Sequence, residues 1–279
     1  MGRLIAVVLF VAVLIPGAVL ARAWGLAAGR RAVAVAAVEF ADPTAEGLAT
    51  LQRQARHVHR VRMLGWLFGL VAVVASVLMF AEASVFLWLP AVVVGLLLGV
   101  LLAELTRPRP RWRLGDPPRR PRRSEQINPW LVWTMRAVVV AEAVTAAVLD
   151  SRGELVDHVG PIALVPPVVC WLLAEGSLLR ILLRPLPAQG ADVPVDEALR
   201  TWTAHLVTAA SSVLSLIPLG ALLLTGGIEL GDRITSGFDL LPVALVAAGF
   251  SALVAGLAVA VFLLTWLRPV RLSARALAG

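Results

Sequence analysis

Apolar residues along this chain are gathered into seven long runs. The runs cover residues 4–21, 63–81, 86–105, 130–149, 161–183, 203–224 and 240–267. A helix needs about twenty apolar residues to cross the hydrocarbon core, and backbone amides in lipid must find their partners within the segment. The pattern therefore predicts an all-α integral membrane protein with about seven transmembrane helices.

Composition supports this prediction. Of the 279 residues, 59% are hydrophobic, and the mean hydropathy is +0.86, whereas a soluble domain is about 45–50% apolar. The net charge is +7, and all 25 basic residues are arginines. The single cysteine, Cys170, excludes an internal disulfide, and its apolar surroundings favour a role as a small buried side chain.

Arginines mark one side of the predicted membrane domain. If seven helices alternate in direction, segments 22–62 and 106–127 share a side, and they hold seven and eight arginines. The opposite side keeps Arg3, Arg152 and Arg233. Because arginine-rich loops stay in the cytoplasm, the sequence predicts an external N-terminus and a cytoplasmic C-terminus.

The N-terminal run has an alternative interpretation. Residues 1–23 combine a basic start, an apolar core and the ending Ala-Arg-Ala, which is also typical of a secretory signal peptide. Cleavage there would place the loop 106–127 outside, against the distribution of arginines. We therefore favour seven helices, with cleavage of the first one left open.

The spans and loops divide the chain into five segments. They are a first transmembrane helix with a cytoplasmic-face helix (1–62), helical hairpin 1 (63–110), an Arg/Pro-rich cytoplasmic loop (111–127), hairpin 2 (128–187), and hairpin 3 with a short C-terminal tail (188–279). Within the first segment, residues 43–62 place apolar and basic side chains on different helix faces. A basic amphipathic helix is expected there, lying along the inner leaflet.

An internal repeat is also expected. Residues 88–110 align without gaps on residues 165–187, and in both copies a proline is followed seventeen positions later by Arg-Pro. Independent helices could converge on an Arg-Pro stop, because arginine reaches the phosphate layer and proline ends the helix. The shared spacing favours duplication, and so predicts helical-hairpin repeats.

Charged residues within or near the predicted spans are the main candidates for chemistry. They are Glu104, Arg136, Glu142, Glu175 and Arg180. Intramembrane charges are costly and normally face protein or water. One hypothesis is a proton or ion relay through Glu142 and Glu175. The other is a structural Glu–Arg cluster that locks three helices together, and the nearby arginines favour it.

Small and polar residues on the spans favour helix packing. Gly95-x-x-x-Gly99 and the ladder Ala248, Ala252, Gly256, Ala260 predict close helix contacts. The sixth run carries polar side chains that either line a path or join helices, and joining is the commoner role. These side chains are Thr203, His205, Thr208, Ser211, Ser212 and Ser215.

Two arginine groups are expected to contact anionic lipid of the inner leaflet or a membrane or cytosolic protein partner. They are Arg107, Arg109, Arg111, Arg113, Arg119, Arg120, Arg122 and Arg123 in the loop, and Arg53, Arg56 and Arg60 on the amphipathic helix. Each arginine near an anionic surface contributes about 1 kcal/mol. Nucleic acid is not expected, because no aromatic platform accompanies the charge.

Motifs of soluble enzymes are absent from the sequence: there is no phosphate-binding loop, dinucleotide fingerprint, nucleophile elbow or CxxC pair. His57-x-His59 points to two helix faces, so neither a metal nor another cofactor is expected. The sequence favours a non-enzymatic membrane component, with a small-solute or ion transporter using Glu142 and Glu175 as the alternative. A membrane-embedded enzyme ranks third.

The segments LLAELTRPRPRWR (101–113) and DEALRTWTAH (196–205) resemble uncharacterised multi-pass membrane proteins of actinobacterial type. The resemblance covers helix exits and contains no catalytic motif. It implies a bacterial inner-membrane location and assigns no functional residue.

Overall fold

Six α-helices make up the part of the chain that the computed structural model describes, residues 45–80, 84–106, 127–152, 159–183, 192–233 and 240–267. They are α1 (Ala45–Phe80), α2 (Ser84–Thr106), α3 (Pro129–Ser151), α4 (Val159–Leu183), α5 (Asp192–Arg233) and α6 (Leu240–Leu267). Their continuous apolar stretches explain why they are helical, since each is long enough to satisfy its own backbone. The all-helical prediction is confirmed for these residues.

Three stretches of these helices are long and apolar enough to cross a membrane, which supports a helical membrane protein. They are Pro129–Ser151, Ala198–Gly231 and Leu240–Leu263. The predicted run 63–81 lies within a helix up to Phe80, the last residue described there, and the five later runs fall entirely within helices. The first run, 4–21, and the eight arginines of the loop lie outside the described residues. The seven-span count, the orientation and the repeat stay predictions.

Helix α1 differs from the expected pair of helices. The basic segment and the second apolar run form one helix of 36 residues, with no interruption near residue 62. No proline lies between Arg53 and Trp66 to break the ladder of backbone hydrogen bonds. At about 1.5 Å per residue, α1 is about 54 Å long, which exceeds a hydrocarbon core of about 30 Å.

The helices belong to two compact units. The described residues of Pro129–Leu172 and Ser211–Thr265 form unit 1, and those of Ala28–Asn128, Leu173–Ala210 and Trp266–Gly279 form unit 2. Helix α5 contributes its first half to unit 2 and its second half to unit 1. Residues 203–216 of α5 are buried without exception.

Glycines bring α1 and α2 into close contact in unit 2. A Cβ placed on Gly95 would lie 2.5 Å from the Cα of Gly69, and one on Gly65 would lie 2.4 Å from the Cα of Gly99. The pairing 65 with 99 and 69 with 95 shows that the two helices are antiparallel. Two Gly-x-x-x-Gly segments therefore face each other, and the predicted contact role of Gly95 and Gly99 is confirmed.

In unit 1, α6 packs antiparallel against α5. A Cβ on Gly249 would lie 2.9 Å from the carbonyl oxygen of Gly220, and one on Gly256 would lie 3.0 Å from Cγ1 of Ile217. The predicted ladder is only partly correct, because Ala248 is exposed. The closest approach lies one residue further on, at Gly249, since glycine lets the two backbones approach where alanine would not.

Helix α3 lies alongside the second half of α5 in unit 1. The side chain of Leu149 fills the space above Gly226, where a Cβ would meet its Cδ2 at 2.9 Å. Glu142 lies beside Ser215 in the same pair of helices. Because the residue numbers of both contacts increase in the same direction, α3 and this half of α5 run parallel.

Candidate functional site

The five charged residues singled out from the sequence are divided between the two units. Unit 2 contains Glu104, Glu175 and Arg180, and unit 1 contains Arg136 and Glu142.

Glu104 connects three helices in unit 2. Its side chain is almost fully buried, and Oε1 lies 3.7 Å from a terminal nitrogen of Arg62 on α1. The hydroxyl of Thr203 on α5 donates to Oε2 over 3.3 Å. A buried carboxylate offset by a guanidinium and a hydroxyl stabilises the arrangement of the helices that supply them. Glu104 thus joins helices through Arg62 and Thr203, which were not among the partners expected for it in the Glu–Arg cluster.

Further polar side chains converge on the C-terminal end of α2. Arg180 of α4 donates to the backbone carbonyl of Leu105, and the Thr106 hydroxyl donates to the carbonyl of Leu102 over 2.7 Å. The ring nitrogen Nε2 of His57 lies 3.0 Å from that same hydroxyl oxygen. The last carbonyls of a helix lack partners within it and attract cations. Arg180 therefore stabilises the end of α2.

Glu142 has a different environment in unit 1. It lies on the buried face of α3, one turn from Val139 and Ala146, and is 1% exposed. Arg136, the nearest arginine on the helix, lies over the ring of Trp133, with 5.4 Å between the guanidinium carbon and the ring centre. Within the part of unit 1 that the structure describes, no arginine offsets the Glu142 carboxyl.

Two serines of α5 accompany this carboxyl. Ser215 lies next to it, and Ser211 lies one helical turn earlier on the same face. Both serines are fully buried. Glu142 Oε2 and both hydroxyl oxygens make no hydrogen bond of regular geometry with the described residues. The site thus contains three buried oxygens able to bind a donor or a cation.

The remaining candidates are on the surface or outside the described residues. Arg53, Arg56 and Arg60 are exposed, as is His59, whereas His57 is half-buried. Glu175 is half-buried on α4. Sequence reasoning missed Arg62 as the partner of Glu104. Arg62 lies one helical turn after the apolar Val58, and this position in the sequence was the signal that could have revealed it.

Comparison of the chain with protein-family models, curated proteins and solved structures gives no match.

Proposed function

We propose that this chain is a multi-pass protein of the bacterial cell membrane, with seven spans, an external N-terminus and a cytoplasmic C-terminus. It acts as a non-enzymatic component that binds a partner through arginines at the cytoplasmic face. The observation that supports this function best is the exposed arginine stripe of α1, formed by Arg53, Arg56 and Arg60.

The geometry of α1 turns this stripe away from the rest of unit 2. At about 100° per residue, Arg53, Arg56 and Arg60 fall within about 60° of one another, and Val58 and Arg62 fall on the opposite side. Val58 is buried, and Arg62 reaches Glu104. The inward side of α1 is thus occupied by unit 2, and the outward side presents three guanidinium groups.

The continuity of α1 favours an acidic protein surface as the partner. Its apolar part, residues 63–80, is about 27 Å long, close to the thickness of the hydrocarbon core of about 30 Å. The basic part continues the same helix, and the contact between His57 and Thr106 holds it beside the end of α2. Arg53 then lies about 15 Å beyond residue 63, whereas Arg60 stays near the headgroups, where anionic lipid is the alternative ligand.

The test replaces the stripe by glutamines (Arg53→Gln, Arg56→Gln, Arg60→Gln) and purifies the protein from native membranes. We expect a stoichiometric partner with wild type, and its loss with the triple variant or on raising the salt concentration, which weakens exposed charge pairs. The control, Arg3→Gln, Arg152→Gln, Arg233→Gln, removes the same charge from the other predicted side and should keep the partner. If native mass spectrometry shows that the wild-type protein retains anionic lipid and no protein partner, the lipid alternative is supported. Equal recovery from both variants would refute the role of the stripe.

A second candidate function is a small-solute or ion transporter that uses Glu142 and Glu175. The specific observation in its favour is that Glu142 is buried with no arginine partner among the described residues of its unit. Purified protein alone in proteoliposomes should then support uptake, and Glu142→Gln should abolish it. Glu104→Asp, which keeps the charge of the structural ion pair, serves as the control.

A further inference from the structure

Three buried side-chain oxygens lie in unit 1, one on α3 and two on α5. They are Oε2 of Glu142 and the hydroxyl oxygens of Ser211 and Ser215, and the residues are 1%, 0% and 0% exposed. None of the three makes a regular hydrogen bond within the described residues.

The two serines differ from other hydroxyl side chains on these helices. Thr208 donates to the carbonyl of Ala204 over 2.8 Å, and Ser251 donates to that of Ala247 over 2.7 Å. This bond to the preceding turn is the usual way to satisfy a hydroxyl within a helix. Ser211 and Ser215 do not make it, so their hydroxyl groups remain available to a ligand.

The charge around the carboxyl limits the ligand to one positive charge. Among the described charged residues of unit 1, Arg136 lies over Trp133, Asp150 and Arg152 are exposed at the end of α3, and the charged side chains of α5 lie at least fourteen residues beyond Ser215. The described parts of α4 and α6 in this unit carry no charged residue. A lone buried carboxylate is costly, and a single cation would neutralise it.

We infer that Glu142, Ser211 and Ser215 form a binding site for one monovalent cation, either a proton or a sodium ion. A divalent ion would leave an excess positive charge in the membrane interior. Oxygen-only ligands suit a hard cation and do not suit a transition metal. A proton converts the carboxyl to a neutral donor for a serine oxygen, whereas a sodium ion is coordinated by all three oxygens.

This inference deepens the second candidate function by naming its ion, but binding does not depend on transport. The test uses the full-length protein in lipid nanodiscs and two probes, dicyclohexylcarbodiimide and radioactive sodium. The carbodiimide reacts with protonated carboxyls in apolar surroundings, and mass spectrometry locates the adduct. We expect modification of Glu142 in the unaltered protein, falling as pH rises.

Sodium separates the two ligands. If sodium protects Glu142 from the carbodiimide and radioactive sodium binds with a stoichiometry near one, the ligand is sodium. If the extent of modification changes with pH but not with sodium, the ligand is a proton. The double variant Ser211→Ala, Ser215→Ala should weaken the sodium affinity, on the order of tenfold as for supporting groups at metal sites, or should shift the pH dependence of the modification if the ligand is a proton. Ser251→Ala, which removes a hydroxyl already bonded within α6, should leave both unchanged.

Two results would overturn the inference. One is modification of Glu142 that changes neither with pH nor with sodium, and the other is no modification of Glu142 together with no binding of sodium. Both results come from the unaltered protein, so they do not depend on the folding of a variant. A protein that binds the cation but shows no flux in proteoliposomes would refute the transporter and leave the site intact.

Discussion

Replacing Gly95 by alanine should force α1 and α2 apart. The new Cβ would lie 2.5 Å from both Cα and N of Gly69 and 2.7 Å from the carbonyl oxygen of Gly65. Comfortable contacts between such atoms are about 3.5–4.0 Å, so the helices must separate by about 1 Å. All three contacted atoms belong to the backbone, and no side-chain rotation can relieve the overlap.

The expected loss of stability follows from three terms. Overpacking a close contact costs about 1–3 kcal/mol, and a gap of about 1 Å forfeits up to half of the dispersion energy of the neighbouring contacts. Alanine regains up to about 1 kcal/mol over glycine through its better helix propensity. Because the overlap is with backbone on two residues, we expect a net decrease of about 2 kcal/mol in the free energy of unfolding.

Unfolding in mixed micelles, titrated with a denaturing detergent and followed by helicity, measures this change. The control is Gly176→Ala in the same unit, where a Cβ would lie 3.4 Å from Cδ1 of Leu105, the end of a flexible side chain. That variant should unfold at the detergent fraction of wild type or above it. If Gly95→Ala also does so, the close crossing of α1 and α2 is refuted.

Two further predictions concern the carboxyls and the orientation. Glu104→Gln should lower the free energy of unfolding by about 2 kcal/mol, less than for a fully buried ion pair because the Arg62 side chain is 28% exposed. Glu142→Gln should leave the free energy of unfolding unchanged or raise it, and the same titration compares the two variants. In a Cys170→Ala background, a cysteine replacing Gly115 should react with an impermeant thiol reagent only after the cells are permeabilised, and one replacing Gly153 should react in intact cells. Labelling of position 115 from the medium would contradict the predicted topology.

Long apolar runs were enough to locate the apolar parts of the described helices. The runs 130–149 and 240–267 fall within α3 and α6, since about twenty apolar residues in a row have few alternatives to a membrane-spanning helix. The continuity of α1 across residues 62 and 63, where the sequence predicted the end of one helix and the start of another, was harder to foresee. A change from basic to apolar composition marks a change of surroundings, but a helix ends only where its backbone hydrogen bonds do.

Pairing between helices could not be read from the sequence in the same way. Depth along a helix follows from residue number, and it suggested grouping Glu142 with Glu175. The neighbours of a side chain also depend on the rotation of its helix, which is set by contacts such as Gly95 with Gly69. The structure accordingly pairs Glu104 with Arg62 and leaves Glu142 beside Ser215.

Two buried carboxyls in one chain thus have opposite energetic roles, and the opposite signs expected for their glutamine variants follow from this. Glu104 offsets the charge of Arg62, so removing its charge leaves a guanidinium that is 28% exposed without its counterion. Glu142 offsets no described cation, so its own charge is the unfavourable one and glutamine removes it at nearly constant volume. A carboxyl that is buried at a cost in stability, with no structural partner, is typical of a group kept for binding. If the Glu142→Gln variant is stable but no longer binds the cation, Glu142 has a functional role and not a structural one.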